Sequence, residues 1–195
     1  MSKSFEFPKI HSFPPFYTKQ PNQTILNQQL ESWMNIVLTY CEFYKITSLS
    51  IDGIPKFKST TEENNALPPI FSNDEIKRNC NSEFKHLILQ HLIHQHKAEF
   101  INQKKPELGI YIYWRSLVGW SDLLYQYVDK TGQRGAILTI YELTQPDDSE
   151  GYIPQELKNL DTEFLIKIIK EVLVKQGKAQ LLINEDNEIG GVKIV

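Results

Sequence analysis

The sequence predicts a helix-rich α+β fold built as two similar halves behind a short arm of prolines and aromatics. Three observations predict it. The chain has 195 residues, room for one large domain or two small ones, and 41% hydrophobic with 23% charged residues is a globular balance. Apolar residues recur at three- and four-residue steps between short β-rich runs, and the order of these elements is the same in each half. Ahead of the first helical stripe, Pro8, Pro14, Pro15 and Pro21 alternate with Phe5, Phe7, Phe13, Phe16 and Tyr17.

Residues 1–21 form the arm. Proline is excluded from helix interiors and central strands, so the arm is expected to be extended, close to polyproline II. Free disordered segments are poor in aromatics, and this one is rich in them, so it is expected to dock on something. Phe13-Pro14-Pro15-Phe16-Tyr17 fits the pattern Pro-Pro-x-Tyr. Three readings are open for it: a ligand of a WW domain, a fold-back onto its own domain, or a plug for a pocket on a partner subunit.

The first half, 22–113, opens with a helix whose stripe is Leu26, Leu30, Trp33, Val37, Tyr40, Cys41 and Tyr44, capped by Asn22 or Thr24. Ser48–Ile51 reads as a short strand ended by Asp52-Gly53. Residues 53–69, with Pro55, Pro68, Pro69 and the polar run 59–65, read as a loop. A short helix is expected over 74–79. A longer one, capped by Ser82, carries Phe84, Leu87, Ile88, His91 and Leu92. Residues 98–102 and 109–114 then form a hairpin with Pro106 in its turn.

The second half, 114–195, repeats the order. Ser116 caps a helix from Leu117 to Lys130 bearing Trp120, Leu123, Leu124, Tyr127 and Val128, with Gly132 placed to end it. Ala136–Leu143 is expected as a strand and 144–151 as an acidic loop with Asp147, Asp148 and Glu150. Pro154 starts a short helix, Asp161 caps a longer one, and 179–183 pairs with 191–195. Helix, strand, helix, helix and hairpin make up the winged-helix order, a helix-turn-helix with a β wing. Two tandem winged-helix domains fill the chain.

Catalysis is not expected. No nucleophile elbow and no phosphate-cradling glycine loop occurs, and the acidic loop has no partner that would tune its carboxylates. No cofactor or metal is expected either. Cys41 and Cys80 stand alone, and the histidines His86, His91, His94 and His96 on one helix lack a converging second ligand set. A winged-helix DNA-binding regulator is the alternative reading. The third helix of the first half has Lys85 and Lys97 against Glu83. That of the second has Lys167, Lys170, Lys175 and Lys178 against Asp161, Glu163 and Glu171, and neither has an arginine. With a net charge of −3 overall, a strong phosphate grip is not expected. No apolar run approaches the roughly 20 residues that span a bilayer, and Met1–Glu6 lacks a signal-peptide core, so a cytoplasmic protein is expected.

The run 13–22, Phe-Pro-Pro-Phe-Tyr-Thr-Lys-Gln-Pro-Asn, strongly resembles the arm of the small-subunit family of the ESCRT-II endosomal sorting complex, the vacuolar protein sorting-associated protein 25 family. The resemblance continues through Ser4–Pro8, the helix with Trp33, Pro69-Ile70-Phe71, Trp114-Arg115, Trp120, Tyr125-Gln126, Leu138–Leu143 and Gly191-Val192-Lys193. It implies tandem winged helices and an adaptor without catalysis. Two copies would sit in a Y-shaped complex, each arm plugging one of the two larger subunits through Phe13, Pro14, Pro15, Phe16 and Tyr17. The second winged helix would recruit an ESCRT-III subunit, vacuolar protein sorting-associated protein 20, for sorting ubiquitinated cargo into multivesicular bodies. The membrane would be reached only through the complex, at the endosome.

Overall fold

The computed structural model describes residues 4–58, 67–145 and 153–195. The polar run 59–65 and the acidic residues Asp147, Asp148 and Glu150 lie outside them. The chain is mixed helix and sheet and divides into two compact units, with the division between Trp114 and Arg115.

In the first unit, α1 (Gln23–Tyr44) starts where the Asn22 side chain accepts from the Ile25 amide at 3.1 Å. Its apolar stripe is buried, with Trp33, Val37 and Cys41 fully enclosed. β1 (Ile46–Leu49) follows, then β2 (Pro55–Lys58), a strand inside the stretch expected to be loop. The four-stranded sheet runs β2-β1-β6-β5, where β5 is Ala98–Phe100 and β6 is Ile110–Ile112; all the described pairings are antiparallel, with Leu49 opposite Ile110. A 3₁₀ turn, Pro106–Leu108, lies in the β5–β6 connection. Gly109 follows it at φ +100°, where a Cβ would sit 2.3 Å from the Leu49 carbonyl oxygen; only glycine fits.

The short helix expected over 74–79 is instead a tight hairpin, β3 (Ser72–Asn73) with β4 (Arg78–Asn79). The Asn73 side chain takes the Glu75 amide at 3.0 Å, and Lys77 closes the turn at φ +52°. α2 (Ser82–His94) is capped by Asn81, one residue earlier than expected, and packs Phe84, Ile88 and Leu92 against α1 and the sheet.

The second unit contains α3 (Leu117–Lys130), β7 (Ile137–Leu138), α4 (Ile140–Thr144), α5 (Thr162–Ile168) continued by a π-helical turn (Ile169–Val174), β8 (Ala179–Ile183) and β9 (Ile189–Ile194). Its sheet order is β7-β9-β8. The strand expected over 136–143 stops after two residues. Thr139 and Glu142 make a capping box: the Thr139 hydroxyl accepts from the Glu142 amide at 3.1 Å, and the Glu142 carboxylate accepts from the Thr139 amide at 2.7 Å. That local pairing overrides the β preference of Ile137, Thr139, Ile140 and Tyr141. The short helix expected after Pro154 is a run of turns that ends with Asn159 at φ +57°. Trp120, edge-on to Phe164 at 5.7 Å, centres this unit's core with Leu124, Ile168 and Val192.

Candidate functional site

The arm is extended only in part, with Pro8 at polyproline II angles and Phe13 and Thr18 also in the extended region. Lys9–Ser12 and Pro14–Tyr17 are two successive 3₁₀ turns laid along α1. Pro14 and Pro15 occupy the first positions of the second turn, where a missing amide costs nothing and the fixed φ suits the turn. The turn closes through the Phe16 amide to the Phe13 carbonyl (3.0 Å) and the Thr18 amide to the Pro15 carbonyl (3.2 Å).

This turn splits the five motif residues between two faces. Phe16 and Tyr17 point inward and are each 3% exposed. The Phe16 ring stacks flat on Trp33, with centroids 4.3 Å apart and planes 7° apart. Its carbonyl accepts from Trp33 Nε1 at 3.0 Å and from Gln29 Nε2 at 2.9 Å. The Tyr17 hydroxyl donates to the His11 carbonyl at 2.7 Å, which also accepts from Asn73 Nδ2 at 3.1 Å. Burial pushes the Tyr17 hydroxyl well above its ordinary pKa, so it acts as a donor and not as an acid. Phe13, Pro14 and Pro15 face the other way. Phe13 is 56% exposed, Pro15 is exposed and Pro14 partly so.

His11 is the hub beneath. Its ring stacks on Phe7 at 3.9 Å and meets Tyr17 and Trp33 edge-on. Its Nε2 lies 2.9 Å from the Ile70 carbonyl. A carbonyl only accepts, so Nε2 carries the proton. Burial holds the imidazole below its ordinary pKa, and the Ile70 bond offsets part of that. Sequence reading missed His11. Its spacing from Pro14-Pro15 carries no periodic signal, since its role depends on the two 3₁₀ turns. Upstream, Phe5 joins Phe7 and Tyr40 edge-on, and its amide donates to the Tyr44 hydroxyl at 3.0 Å. Of the three readings of the motif, fold-back onto its own unit describes Phe16 and Tyr17 in this chain.

The histidines of α2 do not converge. His91 Nε2 pairs with Glu31 Oε1 of α1 at 2.8 Å, while His86, His94 and His96 are exposed. Among the described residues, no group of three or more His, Cys, Asp or Glu side chains is placed to hold a metal. Cys41 and Cys80 are buried with their thiol pKa values raised, Cys80 to about 12. No described helix is long and apolar enough to cross a membrane.

What the chain resembles follows from its whole length. The family model for "ESCRT-II complex subunit" matches residues 10–161. "Vacuolar protein-sorting-associated protein 25" of Bos taurus is 32% identical over 193 residues, covering 99% of both chains. A crystal structure of subunit VPS25 of the endosomal trafficking complex ESCRT-II superposes with a TM-score of 0.80 at 27% identity, covering 96% of this chain and 98% of that one. A chain in the crystal structure of endosomal complex ESCRT-II (VPS22/VPS25/VPS36) matches with a TM-score of 0.75 over the same shares at 27% identity. An arm inside the matched region, a fold shared from end to end and identity above 30% lead to one conclusion: this chain belongs to the ESCRT-II complex subunit family.

Proposed function

We propose that this chain is a non-catalytic adaptor of an ESCRT-II complex, held to the two larger subunits, the counterparts of VPS22 and VPS36, by the outer face of its arm. The carrying observation is the division of the motif. An aromatic at 56% exposure, with two prolines beside it, stands on a turn whose other face is locked into the core. An exposed aromatic on a rigid base is the composition of an interface anchor, because little conformational entropy is lost when it docks. Phe13, Pro14 and Pro15 are the contact residues on this reading. Phe16 and Tyr17 serve by holding them in place.

Each unit is taken as a winged helix, with the order α3, β7, α4, α5, β8, β9 as the fuller example. The second unit recruits an ESCRT-III subunit, vacuolar protein sorting-associated protein 20, so that sorting of ubiquitinated cargo can proceed. Its β7-β9-β8 sheet offers exposed Ile137, Leu182 and Ile183 for such a contact. Two copies per complex would double the recruiting sites and raise local ESCRT-III concentration. The endosomal membrane is reached through the complex.

The decisive experiment measures the affinity of the full chain for the co-purified larger subunits of the same organism. Phe13→Ser leaves the core untouched. The loss expected for an anchor, at least about 2 kcal/mol, is roughly a thirty-fold rise in Kd. An unchanged Kd refutes docking through the arm.

A further inference from the structure

Three exposed large apolar side chains converge at one place. Ile10 (38% exposed), Phe13 (56%) and Ile25 (50%) line a single concavity of about 390 Å³, together with Pro15, Gln28 and the largely buried Phe16. Ile25 lies in the first turn of α1, eight residues beyond Tyr17 and outside the Pro-Pro-x-Tyr motif.

We infer that this concavity is a receiving cup for an uncharged apolar side chain, aromatic or leucine-sized, projecting from a larger ESCRT-II subunit. Docking is then reciprocal: the arm inserts Phe13, and the partner inserts a side chain beside it. The inference rests on the proposed docking of the arm and extends it to a second element.

Continuity is the first argument. Phe13 and Pro15 are at once the exposed residues of the motif and walls of the cup, so a partner gripping Phe13 lies directly over the opening. Charge is the second. None of the residues lining the cup is charged, which suits a neutral occupant and disfavours a carboxylate or an ammonium group. The third concerns the polar groups at the rim. Gln29 Nε2 is taken by the Phe16 and Thr18 carbonyls at 2.9 and 2.8 Å, and Gln20 Nε2 by the Thr18 and Pro15 carbonyls at 2.9 and 3.1 Å. These amides brace the wall and are not aimed at a ligand. A small-molecule site needs convergent polar groups to orient its ligand; an apolar protein side chain does not.

Ile25 permits a clean test. It is the third helical residue after the Asn22 cap, the position a glutamate takes in a capping box, and a negative charge there interacts favourably with the helix dipole. Ile25→Glu therefore keeps the fold while placing a charge in the cup. The readout is the Kd of the full chain for the co-purified larger subunits by calorimetry, beside the thermal midpoint of the free chain. The expected result is a Kd raised about ten-fold or more with an unchanged or higher midpoint. Should the midpoint fall, Gln28→Glu, an exposed helical position on the same rim, decides by the same Kd criterion. A Kd unchanged in the deciding variant overturns the cup. If Phe13→Ser still weakens binding in that case, docking of the arm stands alone; if neither variant moves Kd, both readings fall.

Discussion

Replacing Phe16 by alanine separates an arm that is part of the core from one that merely rests near it. Its ring is 3% exposed and lies flat on Trp33 at 4.3 Å. Truncating a buried phenylalanine costs about 3–5 kcal/mol, within which the aromatic pair accounts for about 0.5–1.5 kcal/mol. The backbone bonds from Trp33 Nε1 and Gln29 Nε2 to the Phe16 carbonyl survive the change, as does the Tyr17 anchor. The arm therefore stays tethered over a cavity, and the lower end, about 3 kcal/mol, is expected. For a unit of this size that corresponds to a fall of about 10 °C or more in its midpoint. Urea unfolding followed by tryptophan fluorescence reads the loss, and hydrogen exchange at the amides of Phe16 and Thr18 reads the loosening of the turn. Phe13→Ala is the control and should stay within about 0.5 kcal/mol of the parent, because its ring leaves no hole. If Phe16→Ala proves as stable as Phe13→Ala yet loses partner binding, the Phe16 ring faces outward and the division of the motif is wrong.

Three further outcomes follow from the same geometry. Tyr17→Phe should cost about 1 kcal/mol in urea unfolding, since it removes one buried hydrogen bond while Asn73 still satisfies the His11 carbonyl. The folded-state pKa of His11 is depressed, so the unfolded chain binds more protons. The stability His11 contributes is fully present above its ordinary value near 6.5 and is lost as pH falls from there through the folded value. Urea midpoints of the first unit between pH 7.5 and 5 should drop, and His11→Gln should flatten that slope. Phe7, Tyr17 and Trp33, which pack against the ring, and the Ile70 carbonyl that Nε2 meets bring no charge that would reverse the sign. In the second unit, Thr139→Ala breaks the capping box. It should cost about 1 kcal/mol and raise the Glu142 pKa, which the Thr139 amide and hydroxyl now hold below the usual carboxylate range; carboxyl NMR titration reads the shift.

The long elements were legible because their signal is periodic. α1, α2 and α3 announce themselves through stripes that end up buried, and β8 with β9 through apolar runs either side of a turn. The misread segments are those where one side chain outvotes its neighbours. At 136–143, four β-branched or aromatic residues point to a strand, yet the Thr139–Glu142 pair starts a helix. The Ser/Thr-x-x-Glu spacing was present and carried the answer. At 72–79 the Asn73 side chain starts the turn of a hairpin, which the Lys77 amide closes on the Asp74 carbonyl, in place of a helical turn. The arm was misread for a different reason. Its prolines do forbid an α-helix, but the choice between polyproline II and 3₁₀ is made by what lies beneath, namely Trp33, Gln29 and the Ile70 carbonyl, which come from distant parts of the chain.

That choice changes how the arm should bind. A polyproline II plug would order on contact and lose conformational entropy in doing so, whereas two 3₁₀ turns pinned by Trp33, Gln29 and Asn73 have lost it already on folding. Association should therefore resemble the meeting of two preformed surfaces, with changes at Phe13 or Ile25 appearing mainly in the dissociation rate. Loosening the base, as in Phe16→Ala, should also weaken binding although Phe16 is only 3% exposed, because the exposed ring of Phe13 would have to be ordered again at the moment of contact. A dissociation rate that rises for Phe13→Ser, with an association rate that falls only for Phe16→Ala, is the kinetic signature of an arm whose inner face builds the knob and whose outer face presents it.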